Sequence, residues 1–220
     1  MNTPREIYAQ YKIMPSLQLH QLRVAAVAKL ICANCKKLVN ERDVILACLF
    51  HDMGNILKFD LTKFPEFTQP EGIEYWESVK DEYRKKYGTD QHVATEAVAR
   101  EIGLQENVIK NIKAVDFTKL DETLENGSRE MIICEYADMR VGPHGILPMR
   151  ERLTEGRERY LVRGIAKQWM AESPDRFNAL VEAAYGIEKK VMDDATIHPE
   201  DINDASVAPL IEELQEYPVD

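Results

Sequence analysis

The sequence predicts an all-α protein, an orthogonal set of helices followed by a helical C-terminal extension. Three observations carry this expectation. Apolar residues recur mostly at three- and four-residue steps, the helical period. Helix-opening signals such as Thr3-Pro4-Arg5-Glu6 and Ser173-Pro174 stand before those stretches. No segment sustains the apolar–polar alternation of a half-buried strand.

Each element follows from local signals. Thr3, Pro4 and Glu6 read as an N-cap, a first helical position and an acidic third position, which opens a short helix to about Lys12. Pro15-Ser16 opens a longer helix through about Lys37, and Asn40 caps a third over 41–59. Pro65, Pro70 and Gly72 mark 60–72 as a loop, after which a polar helical pattern resumes over 73–87. Gly88-Thr89-Asp90 separates it from a helix at about 91–102, which Gly103 terminates, and another spans 105–115. Asn126-Gly127 marks a turn, and Ser128 caps a helix through about Arg140. Gly142-Pro143-His144-Gly145 breaks that helix, and two more follow at 149–171 and 174–192. The acidic segment 193–220 contains Pro199, Pro209 and Pro218, and it forms either a short helix near 207–216 or a mobile tail. The expected division is one domain over 1–165 and the extension over 166–220.

Composition narrows the functions. A length of 220 residues suffices for a sizeable core, and 45% hydrophobic content is too high for a disordered chain. The net charge of −10 disfavours a nucleic-acid polymer as partner, because phosphate-backbone binding needs a cationic surface. A small anionic substrate remains open, since a metal and a few local cations can hold a phosphate on an acidic protein. Cys32, Cys35, Cys48 and Cys134 sit mostly among apolar residues, and the Cys32–Cys35 pair has no second pair to complete a zinc site. The first residues lack the apolar segment of a secretory signal, and no apolar run approaches a membrane span. The expectation is a cytoplasmic protein without membrane contact; homo-oligomers are compatible with this reading.

The informative helix is 41–59. Val44, Ile45, Ala47, Cys48, Leu49, Phe50, Met53, Ile56 and Leu57 cover nearly all its faces, as in a buried helix. Yet His51 and Asp52 lie near its middle, and a buried carboxylate must be paired, protonated or bound to metal. His20 sits on an apolar face with Leu17, Val24, Val27 and Ile31, and Asp138 shares one with Met131, Cys134 and Val141. Each residue alone reads as a hydrogen-bonded core group or a cap. Together, two imidazoles and two carboxylates on separate helices are what a metal site inside a helical bundle requires. On pattern alone, the structural and the metal-binding readings stand level.

The ordered set His20, His51-Asp52, Asp138, with its flanks Leu49-Phe50-His51-Asp52-Met53-Gly54 and Tyr136-Ala137-Asp138-Met139-Arg140, resembles the HD superfamily of metal-dependent phosphohydrolases over about 16–141. The resemblance implies an all-α fold and metal ligation by His20, His51, Asp52 and Asp138. Two departures stand out. Many members carry Lys or Glu three residues after the family Asp, where this chain has Asn55, with Lys58 one turn later as a substitute. Binuclear members add two histidines before the last Asp, whereas here only His92 lies in that interval and Ala114-Val115-Asp116 stands where the second is expected. One ion is therefore expected rather than two, with Asp116 a possible oxygen donor.

These residues suggest a hydrolase of a small phosphate ester, and the resemblance favours a nucleotide. Asp52 would help orient the attacking water, and His92 is the candidate acid, with His144 next in line. Arg23, Lys58 and Arg140 are the candidate phosphate contacts, each equally readable as a surface cation. Imidazoles and carboxylates without thiolate suit manganese, iron, cobalt or nickel. The alternatives are a noncatalytic nucleotide-binding or regulatory module and, less favoured, an iron-dependent oxygenase. His198 reads as a solvated tail residue.

Overall fold

The computed structural model describes residues 2–63, 65–162 and 174–219. Its regular elements are helical. The β features among the described residues are two isolated bridges, Cys35 with Ala195 and Val141 with Ile146. The helices are α1 (Pro4–Gln10), α2 (Pro15–Ala33), α3 (Glu41–Phe50), α4 (Ile73–Tyr87), α5 (Gln91–Glu101), α6 (Glu106–Ala114), α7 (Leu120–Asn126), α8 (Arg129–Met139), α9 (Met149–Val162), α10 (Pro174–Asp193) and α11 (Asp204–Gln215).

The expected caps are present where the chemistry placed them. Thr3 and Glu6 close a reciprocal capping box on α1, the Asn40 side chain accepts from the Asp43 amide, and the Ser128 hydroxyl accepts from the Met131 amide. Three boundaries differ from expectation. First, α2 ends at Ala33 because the chain leaves to meet the end of α10: the Lys36 amide donates to the Asp194 carbonyl at 2.7 Å. Second, the expected helix over 41–59 is divided. It stops at Phe50, turns through residues 51–54 and resumes as a 3-10 turn at Asn55–Lys58. Third, α7 and the 3-10 turn Phe117–Lys119 before it lack a periodic sequence signal, because few apolar side chains anchor them.

The core is one continuous cluster built around α2 and α3. Val24 to Ala28 and Val44, Ile45, Ala47 to Phe50 are fully buried, which explains why those helices are apolar on nearly every face. The C-terminal segment joins the same cluster through Leu180, Ile187, Val207 and Leu214. Helix α11 packs on α2. The choice between short helix and mobile tail therefore resolves as a docked helix, capped by Asn203 and longer than expected. Arg42 fastens the end by donating to the carbonyls of Pro218 and Val219, each at 3.0 Å. The part of the helix expected over 149–171 that follows residue 162, and the expected domain boundary at 165–166, lie outside the described residues.

Candidate metal centre

The interruption after Phe50 creates the site. His51 is the C-cap of α3, and the following amides bond across to other helices instead of continuing the helical ladder. The Asp52 amide donates to Gln21 Oε1 of α2 at 3.2 Å, and the Gly54 amide donates to Thr95 Oγ1 of α5 at 2.9 Å. Gly54 is required by this close approach. A Cβ there would stand 2.3 Å from the Gln91 carbonyl oxygen and 2.9 Å from the Thr95 nitrogen, both backbone atoms that cannot swing aside. The same approach brings the start of α5, with Gln91 and His92, to the rim of the cavity. Asp138 enters from the last turn of α8.

These elements bring two imidazoles and two carboxylates together. His20 Nε2 lies 3.0 Å from Asp138 Oδ1 and 3.6 Å from Asp52 Oδ2. His51 Nε2 lies 3.4 Å from Asp138 Oδ1 and 3.7 Å from Asp52 Oδ2. One donor atom each from His20, His51 and Asp52 falls within a sphere where all separations are at most 4.8 Å, close enough to hold a metal ion. His51 is only 7% exposed, and its Nδ1 donates to the Cys48 carbonyl at 2.8 Å. That bond fixes the ring and leaves the Nε2 lone pair for the cluster. Nε2 is buried and has no hydrogen-bond partner among the described residues. Its neighbours are carboxylates, so a cation is what the donor set lacks; the residues present fit a divalent ion.

Electrostatics agree with this geometry. Burial by itself would lower the His51 pKa, but Asp52 and Asp138 outweigh it and raise the imidazole to about 9. Burial would likewise raise Asp138, yet the close imidazoles of His20 and His51 hold it well below the usual carboxylate range. The cluster without metal thus retains a proton where a cation would otherwise sit.

A cavity of about 450 Å³ opens from the cluster. His20, Asp52 and Asp138 line it, and so do Lys58, His92 and Asn55. His51 stands behind this wall. Asp116 also faces the cavity, but its carboxylate is occupied: Oδ1 accepts from the Thr118 amide and hydroxyl, and Oδ2 pairs with Lys119 at 3.2 Å.

Two candidate phosphate contacts are corrected. Arg140 does not reach the cavity. It is 1% exposed, and its guanidinium donates to the carbonyls of Leu147, Pro199 and Ile202 and to the Tyr136 hydroxyl, at 2.6 to 3.0 Å. Helical geometry points it away from Asp138, and its donors are consumed in fastening the C-terminal segment to α8. Arg23, three residues beyond His20, is half-buried outside the cavity lining. His144 also lies outside that lining, with its ring 5.9 Å from that of Phe67. His198 is exposed, as expected. All four cysteines are free thiols, and Cys32, Cys48 and Cys134 are buried.

Three contributors escaped the sequence reading. Gln21 is fully buried and holds the Asp52 backbone; a polar residue directly after His20 and before Leu22 was its only signal. Thr95 anchors Gly54. Glu135, buried on α8, accepts from the Asp116 amide at 2.8 Å, and burial together with the Asp138 charge pushes its carboxyl well above the usual range. Gln and Glu at these positions carry no periodic signature, so only packing reveals them.

An all-helical core with a His-Asp cluster at the junction of α2, α3 and α8 defines a class of helical metal-site proteins. Within that class, residues 18–138 match the family model of the HD domain, and the chain belongs to the HD superfamily of metal-dependent phosphohydrolases. No curated protein and no solved structure matches the chain. Among the described residues, no helix is long and apolar enough to cross a membrane.

Proposed function

We infer that the protein is a metal-dependent hydrolase of a small phosphate ester, with His20, His51, Asp52 and Asp138 as ligands of one divalent transition ion. The observation that carries this reading is the buried, unpartnered His51 Nε2 facing two carboxylates. Manganese, iron, cobalt and nickel suit the donors, because imidazole and carboxylate are present without thiolate. A single ion is favoured because Asp116 is engaged by Thr118 and Lys119.

When bound, such an ion makes water more acidic near neutral pH and offsets charge on a phosphoryl group. The chain supplies the rest. The Cys48 carbonyl and Gln21 amide hold His51 and Asp52 in place. Asp52 accepts a hydrogen bond from the attacking water and so orients it. Lys58, which pairs with no carboxylate among the described residues, meets phosphoryl oxygens as a point charge. His92, exposed at the rim, donates a proton to the leaving oxygen. A nucleotide is the substrate class favoured by the family resemblance, and the cytoplasm, where buried thiols stay reduced, is the proposed setting.

One observation favours a second reading, a noncatalytic nucleotide-binding or regulatory module: Asn55, buried and uncharged, faces the cavity where many family members place a charge. A phosphate-release assay with each candidate metal separates the two. Wild type is expected to turn over at least one phosphate ester, and Asp52→Asn to abolish turnover along with metal retention. His92→Gln is expected to keep the metal and lose turnover about 100-fold. Normal metal content and release in Asp52→Asn would overturn the assignment.

A further inference from the structure

The cavity does not end at the candidate ligands. Its wall also includes Met139, Val141, Leu153, Phe117 and Phe177, which are apolar, and Arg157, which is not. Three of these come from separate segments and gather at one spot. The rings of Phe117 and Phe177 are 6.1 Å apart and inclined at 42°. The Arg157 guanidinium lies over the Phe177 ring, 5.7 Å from its centroid. Arg157 is exposed and forms no ion pair among the described residues, so an ordinary core contact does not account for it. Aromatic faces and a guanidinium plane beside an open cavity present surfaces on which a planar group stacks.

Charge limits what else the ligand carries. Among the described residues, four carboxylates line the cavity, Asp52, Asp60, Asp116 and Asp138. Among the described residues, its lysine and arginine side chains are Lys58, Arg152 and Arg157, and Arg152 is already spent on the Val141 carbonyl and Glu155. A divalent ion and Lys58 suffice for one phosphate dianion. Further phosphates would lie near Asp60 and Asp116 with Arg157, already stacked over the Phe177 ring, as the remaining uncommitted arginine of the described wall, a poorly compensated arrangement.

Resting on the reading of the site as a phosphate-ester hydrolase, we propose that Phe117, Phe177 and Arg157 form a clamp for the planar, uncharged body of a phosphate monoester. The clamp selects the ligand by its ring, and the carboxylate-rich wall selects against polyphosphates. It uses none of the proposed metal ligands.

The test compares 2-naphthyl phosphate with glycerol 2-phosphate on the metal-loaded protein, and separately measures binding of the phosphate-free 2-naphthol by calorimetry. Phe177→Leu keeps an apolar side chain while removing the ring, and Arg157→Gln changes an exposed position, so folding is retained in at least one variant. The ratio of kcat/KM for the naphthyl ester over the glycerol ester is expected to fall about tenfold in each, mainly through KM. Affinity for 2-naphthol is expected to fall by a similar factor. If neither ester is hydrolysed with any metal but 2-naphthol binding still weakens in the variants, the clamp stands and the hydrolase reading fails. If 2-naphthol does not bind wild type, or binds wild type and both variants equally, the clamp is overturned. It is equally overturned if triphosphate esters of the same planar alcohol outcompete the monoester.

Discussion

His51 and Arg140 are both buried, both carry charge and both border the helix ends that build this site, yet they behave oppositely. Arg140 spends its guanidinium on three carbonyls and a hydroxyl. His51 spends Nδ1 on one carbonyl and leaves Nε2 without a partner among the described residues. A buried polar group whose bonds are complete is holding structure together, whereas one with a bonding atom left over beside opposite charge is prepared for something else. Sequence position placed both in the site, and hydrogen-bond accounting separates them.

The largest effect is expected at the satisfied group. Arg140→Ala strands three carbonyls and removes the tie between α8 and the segment at 199–202, and should cost about 3–5 kcal/mol of stability. Urea denaturation reads this, and the fraction still folded should bind metal with affinity close to wild type. Loss of metal affinity without loss of stability would break the contrast.

Asp52→Asn should act in the opposite sense. Its expected cost is about 100-fold in metal affinity, measured by competition with a chelating dye, with the metal-free melting temperature altered only slightly. Collapse of the fold in that variant would return the cluster to a structural role.

Gly54→Ala probes the joint between the two regions. Its methyl group would meet the Gln91 carbonyl and force α5 outward. About 1–3 kcal/mol of destabilisation is expected, together with weaker metal binding, because Asp52 and the α5 rim move with the turn. A variant equal to wild type in both measurements would show that the turn has slack.

The smallest effect is the pH dependence of the metal-free protein. His51 is raised to about 9 from an ordinary value near 6.5, so its protonated form stabilises the fold fully below about pH 6.5. That contribution is lost as pH rises through 9, with a slope of at most about 1.4 kcal/mol per pH unit. Asp138, held low, contributes above the ordinary carboxylate range and loses its contribution as pH falls. Metal-free stability should therefore decline on both sides of near-neutral pH. Bound metal should remove the alkaline decline, because the ion takes the place of the proton. Thermal melts across pH, with and without manganese, check the sign.

Much of this protein was legible without coordinates. The period of the apolar residues sets the helical class, Thr3, Asn40 and Ser128 set helix starts, and the order His20, His51-Asp52, Asp138 sets the family. These are local properties: a cap bonds within three residues, and a helical face repeats within four. What the fold alone decided is longer in range. It ended α3 at Phe50 because Gln21 and Thr95 capture amides from 31 and 41 residues away. It turned Arg140 from a candidate ligand contact into a tie reaching 62 residues along the chain, and it gathered Phe117, Phe177 and Arg157 on the wall of one cavity. The physical reason is that burial and hydrogen-bond completion depend on which distant segment supplies the partner, a quantity absent from any local window of residues.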